Sequence, residues 1–139
     1  MKKKPLSTQE YRWLASGVCL EECNGERNIG LPPFADPLKA TDADMPAAAK
    51  FGDKLIPLLI KKREGLRKLG FPDAGEDTLV IKEAIRHFEA TIDAFIKAND
   101  AAHQGVSAKF RKYWLEGRQH DQVADTLFEA FDLPLCAAD

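Results

Sequence analysis

The sequence predicts an all-α fold: a single domain of about five helices with one long irregular segment after the first helix. Three features of the chain of 139 residues support this prediction. Apolar residues recur at the steps of three and four that a helix requires, capping and stop signals divide the chain into helical lengths, and the alternation typical of strands is nearly absent. The length is close to the commonest domain size, so we expect one domain over residues 1–139.

The first helix should run from about Thr8 to Cys23. Ser7 and Glu10 have the spacing of a capping box, in which each side chain accepts a hydrogen bond from the other residue's backbone amide. Asn24-Gly25 should end the helix, because glycine favours a left-handed C-terminal turn. The apolar residues cover a broad arc that predicts packing against more than one neighbour. They are Tyr11, Trp13, Leu14, Val18 and Leu20.

Residues 24–46 contain too many prolines and glycines for a helix or a central strand. We interpret them as an irregular segment that wraps around the domain, although loops of this length are often functional. Four apolar residues should hold it to the core: Ile29, Leu31, Phe34 and Leu38.

The second helix should begin near Thr41, with Asp44 at the capping spacing, and end at Gly70. Pro57 lies inside it and predicts a kink or a division into two helices, because the ring removes a backbone donor. The third helix, from about Glu76 to Asp100, has the clearest apolar seam. Its residues are Ile81, Ile85, Phe88, Ile92 and Phe95.

Two further helices are predicted in the C-terminal part. The fourth covers about Ser107 to Glu116 and should break at Gly117. The fifth should be capped by Asp121 and end before Pro134, which leaves residues 134–139 as a frayed tail.

Cys19, Cys23 and Cys136 are an odd and sparse set, which we interpret as buried free thiols. The basic start of the chain is not followed by an apolar signal-peptide region, and no stretch is apolar enough to span a bilayer. These observations predict a cytoplasmic protein without a membrane association.

No pattern in the sequence identifies a catalytic group, a cofactor site or a complete metal site. Glu83-His87 and Glu116-His120 each place a carboxylate and an imidazole four residues apart, and a metal-dependent enzyme built on them is one alternative. Surface ion pairs are the simpler interpretation of this spacing. We therefore predict no cofactor and no metal ligand, and we lean against an enzyme.

Basic and aromatic residues alternate in the predicted fourth helix, where a partner could bind. The residues concerned are Lys109, Arg111, Lys112, Trp114 and Arg118. Such a surface suits nucleic acid or an acidic protein, but the ring spacing favours rings in the core with basic side chains around them. The net charge of −2 also argues against a general nucleic-acid-binding protein.

The second helix gives the best indication of an interface, because Ile56 and Ile60 project opposite its main apolar face. Charge is also uneven: residues 54–68 carry six Lys/Arg and one Glu, whereas residues 119–139 carry five acids and no Lys/Arg. We therefore expect a small interaction protein of the accessory, inhibitor, immunity or chaperone-like kind. It would bind the surface of another protein, and a homodimer would satisfy the same features.

Overall fold

The computed structural model describes residues 4–137, and this part of the chain is helical and contains no strand. The all-α prediction is therefore confirmed, but the described residues form four long helices instead of five. They are α1 (Thr8–Ile29), α2 (Met45–Leu69), α3 (Asp77–His103) and α4 (Ser107–Ala130). Short 3-10 helices lie at Pro37–Lys39, Asp42–Asp44 and Pro134–Cys136.

Helix α1 begins with the predicted capping box between Ser7 and Glu10. The helix does not end at Asn24-Gly25, so the predicted end was wrong. A Cβ on Gly25 would lie 2.8 Å from Cδ2 of Leu58, so this glycine lets α1 and α2 approach closely. The helix ends instead at Gly30, whose φ of 89° is available to glycine at little cost.

The irregular segment is consequently shorter than predicted and covers residues 30–44. Phe34 holds it to the core through edge contacts with the rings of Phe110 and Trp114. The prediction for Leu31 was wrong, since that side chain is 91% exposed. Thr41 and Asp44 form the expected capping box, with the Thr41 amide donating to Asp44 Oδ2 at 2.8 Å.

Helix α2 begins at Met45, after the predicted start at Thr41, and continues through Pro57 as one element, so a division into two helices was wrong. It ends at Gly70 as predicted, where φ is 67°. In α3 the predicted seam faces the interior, with Ile81, Ile92 and their neighbours buried.

Helix α4 is one continuous element, so the predicted break at Gly117 and the predicted cap at Asp121 were both wrong. Gly117 is buried against α3, and a Cβ there would lie 2.5 Å from Cε1 of Phe95. The glycine is therefore required by a close helix–helix contact. The interface of α3 with α4 is the most extensive in the fold, and α2 packs on both α1 and α3.

After α4 the chain forms a 3-10 helix at Pro134–Cys136, within the residues 134–139 that were predicted to be a frayed tail, and residues 138 and 139 lie outside the described part. Leu133 and Cys136 are buried. Cys136 forms a disulfide with Cys19 of α1, across 117 residues of sequence. The prediction of three free thiols was wrong because the C-terminal turn folds back onto α1, and spacing along the chain cannot reveal that meeting. Only Cys23 of the three is free.

The core has two parts. The larger is built from all four helices and includes Tyr11, Leu66, Ile92 and Phe128. The smaller lies where the irregular segment meets α2, α3 and α4, and combines alanines with Met45 and Phe110. Small residues there allow the backbones to approach, and the aromatic rings fill the remaining space.

Candidate functional site

The most prominent apolar surface lies on the outward side of α1. Trp13 is 77% exposed and Leu20 is 44% exposed, with Gly17 between them. Steps of four and three residues place these positions along one line of a helix, spanning about 10 Å of its axis. Apart from the adjoining residues and the backbone of α1 itself, no described atom lies within 4 Å of a Cβ built on Gly17, so the line has an open notch at its centre. We call Trp13, Gly17 and Leu20 the α1 stripe.

The remainder of α1 explains why the stripe faces outward. Tyr11, Ala15 and Cys19 are fully buried and hold the other side of the helix against the core. The broad apolar arc predicted packing on several neighbours, but within the described residues α1 packs mainly against α2 and the C-terminal turn. Trp13 and Leu20 lie outside that contact. Helix α1 has more apolar residues than one buried face can hold, and this excess was the sequence signal for an exposed apolar surface.

Ile56 and Ile60, the predicted interface residues, are both half-buried. Ile60 packs against the larger core cluster. Since contacts within the chain already account for part of their surface, they leave less area for a partner than the α1 stripe does. Partner binding at Ile56 and Ile60 stays a prediction.

Arg111 and Trp114 of the predicted basic–aromatic surface serve the fold. Arg111 donates to the backbone oxygen of Ala40 at 2.6 Å and to Ser107 Oγ at 3.1 Å, which holds the irregular segment against α4. Trp114 stacks on Phe95 with ring centroids 4.6 Å apart. Both residues are half-buried.

Lys109, Lys112 and Arg118 are exposed. Arg118 follows Lys109 by nine residues, about two and a half helical turns, so the two lie on opposite sides of α4. The exposed cations therefore do not form the single basic stripe that nucleic-acid binding favours. Their role in binding any partner stays a prediction.

The two histidines of the predicted carboxylate–imidazole pairs meet between α3 and α4. Nδ1 of His87 lies 3.0 Å from Nδ1 of His120, and the ring centroids are 5.2 Å apart. On the other side of the His87 ring, Arg86 Nη2 is 3.3 Å and Glu83 Oε2 is 3.8 Å from Nε2. Glu116 is exposed. Burial is the largest cause that lowers the pKa of His87, followed by the charge of Arg86.

Lys62 is only 5% exposed, and the sequence did not predict the contacts that its charged end makes. Its ammonium donates to the backbone oxygen of Cys136 at 3.2 Å and lies 4.6 Å from the ring centroid of Phe88. Burial, reinforced by the charge of Asp125, raises the pKa of nearby Asp121 to about 6. The position of Lys62 within the apolar face of α2 was the signal for its burial.

An open cleft of about 520 Å³ lies where the start of α2 meets the end of α3. There Asp53 Oδ1 accepts hydrogen bonds from Asn99 Nδ2 at 2.9 Å and from His103 Nε2 at 2.8 Å. The hydrogen bond from His103 is the main cause that lowers the pKa of Asp53. Both Asp53 and His103 are exposed, so water competes for this pair and the cleft lacks the dry surroundings that favour acid–base catalysis.

Comparisons of the chain with protein-family models, with curated proteins and with solved structures found no match. Among the described residues, no helix is both long enough and apolar enough to cross a membrane. A disulfide is typical of oxidising compartments, so the Cys19–Cys136 bond weighs against the predicted cytoplasmic location, which stays a prediction.

Proposed function

We propose that the protein is a small interaction module that binds an apolar surface of another protein through the α1 stripe. The exposure of Trp13 is the observation that carries this proposal. Burial of a large aromatic side chain stabilises a fold by about 2 kcal/mol or more. In this chain, 77% of the Trp13 surface stays in water.

Tryptophan is also the residue type that most often dominates binding energy at protein interfaces. Its two χ angles lose little entropy on binding, while its large ring fills a pocket of the partner. Leu20 would continue the contact one turn beyond the notch, and Gly17 would let the partner approach the helix backbone closely. A second copy of the chain is one candidate partner, since two antiparallel stripes would place Trp13 of each copy near Leu20 of the other.

Mutagenesis of the stripe tests the proposal against a matched control. Leu79 at the start of α3 is an exposed apolar residue outside the stripe, with 67% of its surface accessible. We expect Leu20→Asp to abolish capture of a stoichiometric protein partner, or dimer formation measured by sedimentation velocity, whereas Leu79→Asp leaves binding unchanged. Both positions are exposed, so neither change should unfold the chain.

Equal binding by the wild type, Leu20→Asp and Trp13→Ala would contradict this function. Loss of binding in Leu79→Asp alone would move the interface to the N-terminal end of α3. Circular dichroism of every variant separates lost binding from lost folding.

A further inference from the structure

We propose that His87 and His120 together bind a late first-row divalent metal ion, such as Zn²⁺ or Cu²⁺, between α3 and α4. Imidazole nitrogen is a favoured ligand of these ions. The proposal rests on the geometry of two side chains that the fold brings together from positions 33 residues apart in sequence.

The distance between the two ring nitrogens suits a shared metal ion. Two imidazole nitrogens, each about 2.0–2.1 Å from a metal, lie about 2.9 Å apart in a square-planar arrangement and about 3.3 Å apart in a tetrahedral one. The observed Nδ1–Nδ1 distance of 3.0 Å falls within that range. The two rings are inclined to each other by 35°, and metal binding would direct the lone pairs of both nitrogens to one point.

The hydrogen bonds around the pair define what the metal ion replaces. Arg86 can only donate, so its contact with His87 Nε2 leaves the His87 proton on Nδ1, where it is directed to Nδ1 of His120. A metal ion between the two Nδ1 atoms takes the place of that proton. The proton moves to Nε2 of His87. Arg86 Nη2, which lies 3.3 Å from that nitrogen and donates to Glu83 Oε2 at 2.7 Å, must then move aside so that Glu83 Oε2, now 3.8 Å away, can accept the proton. A carboxylate behind a ligating histidine is the usual second partner in metal sites.

The protein would supply two ligands and water the others. Within residues 4–137, no group of three or more His, Cys, Asp or Glu side chains surrounds one metal position. We therefore expect an affinity below that of a closed site with four protein ligands. Because the ligands come from α3 and α4, binding to the folded chain would stabilise the largest helix interface.

Titration with ZnCl₂ and CuSO₄ tests the site, with His103 as the matched control. His103 is the third histidine and pairs with Asp53 away from the site. The free thiol of Cys23 also binds such ions, so Cys23→Ser should serve as the common background. We expect this protein and its His103→Ala variant to bind one ion per chain and to melt at a higher temperature with metal.

The variants His120→Ala and His87→Ala should each weaken that binding by about tenfold or more. His120→Gln, which keeps a polar side chain in the interface, should have the same effect and serves as the test where alanine disturbs the packing. The Cu²⁺ electron paramagnetic resonance spectrum should show coupling to two imidazole nitrogens, which a purely structural role for the pair would not produce. Absence of saturable one-to-one binding would overturn the proposal. So would binding that survives His120→Ala but is lost in His103→Ala.

Discussion

Gly17 and Gly117 both lie inside long helices, but their surroundings give them different roles. Gly17 is open to solvent, whereas a Cβ on Gly117 would overlap the Phe95 ring. The sequence pattern revealed neither role: Gly17 was not singled out, and Gly117 was predicted to end a helix. A glycine in a helical pattern marks either a stop or a close contact, and only the position of the neighbouring helix decides between them.

The same substitution should therefore have opposite effects at the two glycines. Gly17→Ala should raise the free energy of unfolding by about 0.5–1 kcal/mol, because alanine is the better helix former. Gly117→Ala should lower it by about 1–2 kcal/mol, because overpacking against Phe95 exceeds that gain. Urea denaturation measures both. Stabilisation by Gly117→Ala would show that α3 and α4 do not approach as described.

Asp132 follows α4 with a φ of 62°, the left-handed region that glycine prefers. The Leu133 amide donates to the Phe128 oxygen at 2.8 Å and closes the helix end. Asp132→Gly should therefore raise the free energy of unfolding by about 0.5–1 kcal/mol. Glu129→Gly, one turn earlier inside the helix, should lower it by about 1 kcal/mol. Thermal melts of both variants give the comparison, and destabilisation by both would contradict this helix end.

At the scale of the element, the sequence predicted what depends on local signals. The capping boxes at Ser7 and Thr41, the stop at Gly70 and the seam of α3 are encoded within a few residues and are present in the structure. The errors occur where a distant segment decides the outcome. Gly25 and Gly117 lie inside continuous helices, and each faces a side chain of a neighbouring helix, Leu58 of α2 and Phe95 of α3 respectively.

The C-terminal turn is the element that depends most on a distant contact. Cys136 bonds to Cys19, and the Arg12 Nε donates to the Phe131 oxygen at 2.8 Å, so α1 holds the chain end at two points. Closing a loop of this length restricts the unfolded chain strongly.

Removal of this disulfide should lower the free energy of unfolding by about 2–4 kcal/mol. Cys136→Ala makes that change, and Cys23→Ala is the control because its thiol is free. Chemical denaturation with and without a reductant measures the difference. The difference in the free energy of unfolding between the wild type and Cys136→Ala should become smaller once the reductant has broken the wild-type disulfide. A Cys23→Ala variant as unstable as Cys136→Ala would contradict the pairing.

At the scale of the molecule, a helical domain was predictable and its candidate surface was not. Ile56 and Ile60 were chosen because their side of α2 lacked an evident neighbour, yet Ile60 packs on the core. Trp13 was assigned to packing, yet it is exposed. Periodicity shows that a helix has two apolar sides but not which side the other helices cover, since that depends on how the helices are arranged in the fold.

The same limit applies to the histidine pair. The spacing of Glu83 and His87 predicted a pair on one helix, and Glu83 does lie 3.8 Å from His87. The contact of His87 with His120 joins two helices, so it depends on how α3 and α4 pack against each other. Sequence therefore indicated the residues of this site but not their meeting.

Photocrosslinking at position 13 shows whether a partner covers the α1 stripe. A photoreactive amino acid replaces Trp13 in the full chain, and the control protein carries it at Leu79. Irradiation in a lysate of the native cells, followed by mass spectrometry, identifies any adduct. We expect one dominant adduct from position 13, either with another protein or with a second copy, and none from position 79. No adduct at position 13, or the same adducts from both positions, would contradict a binding role for the α1 stripe.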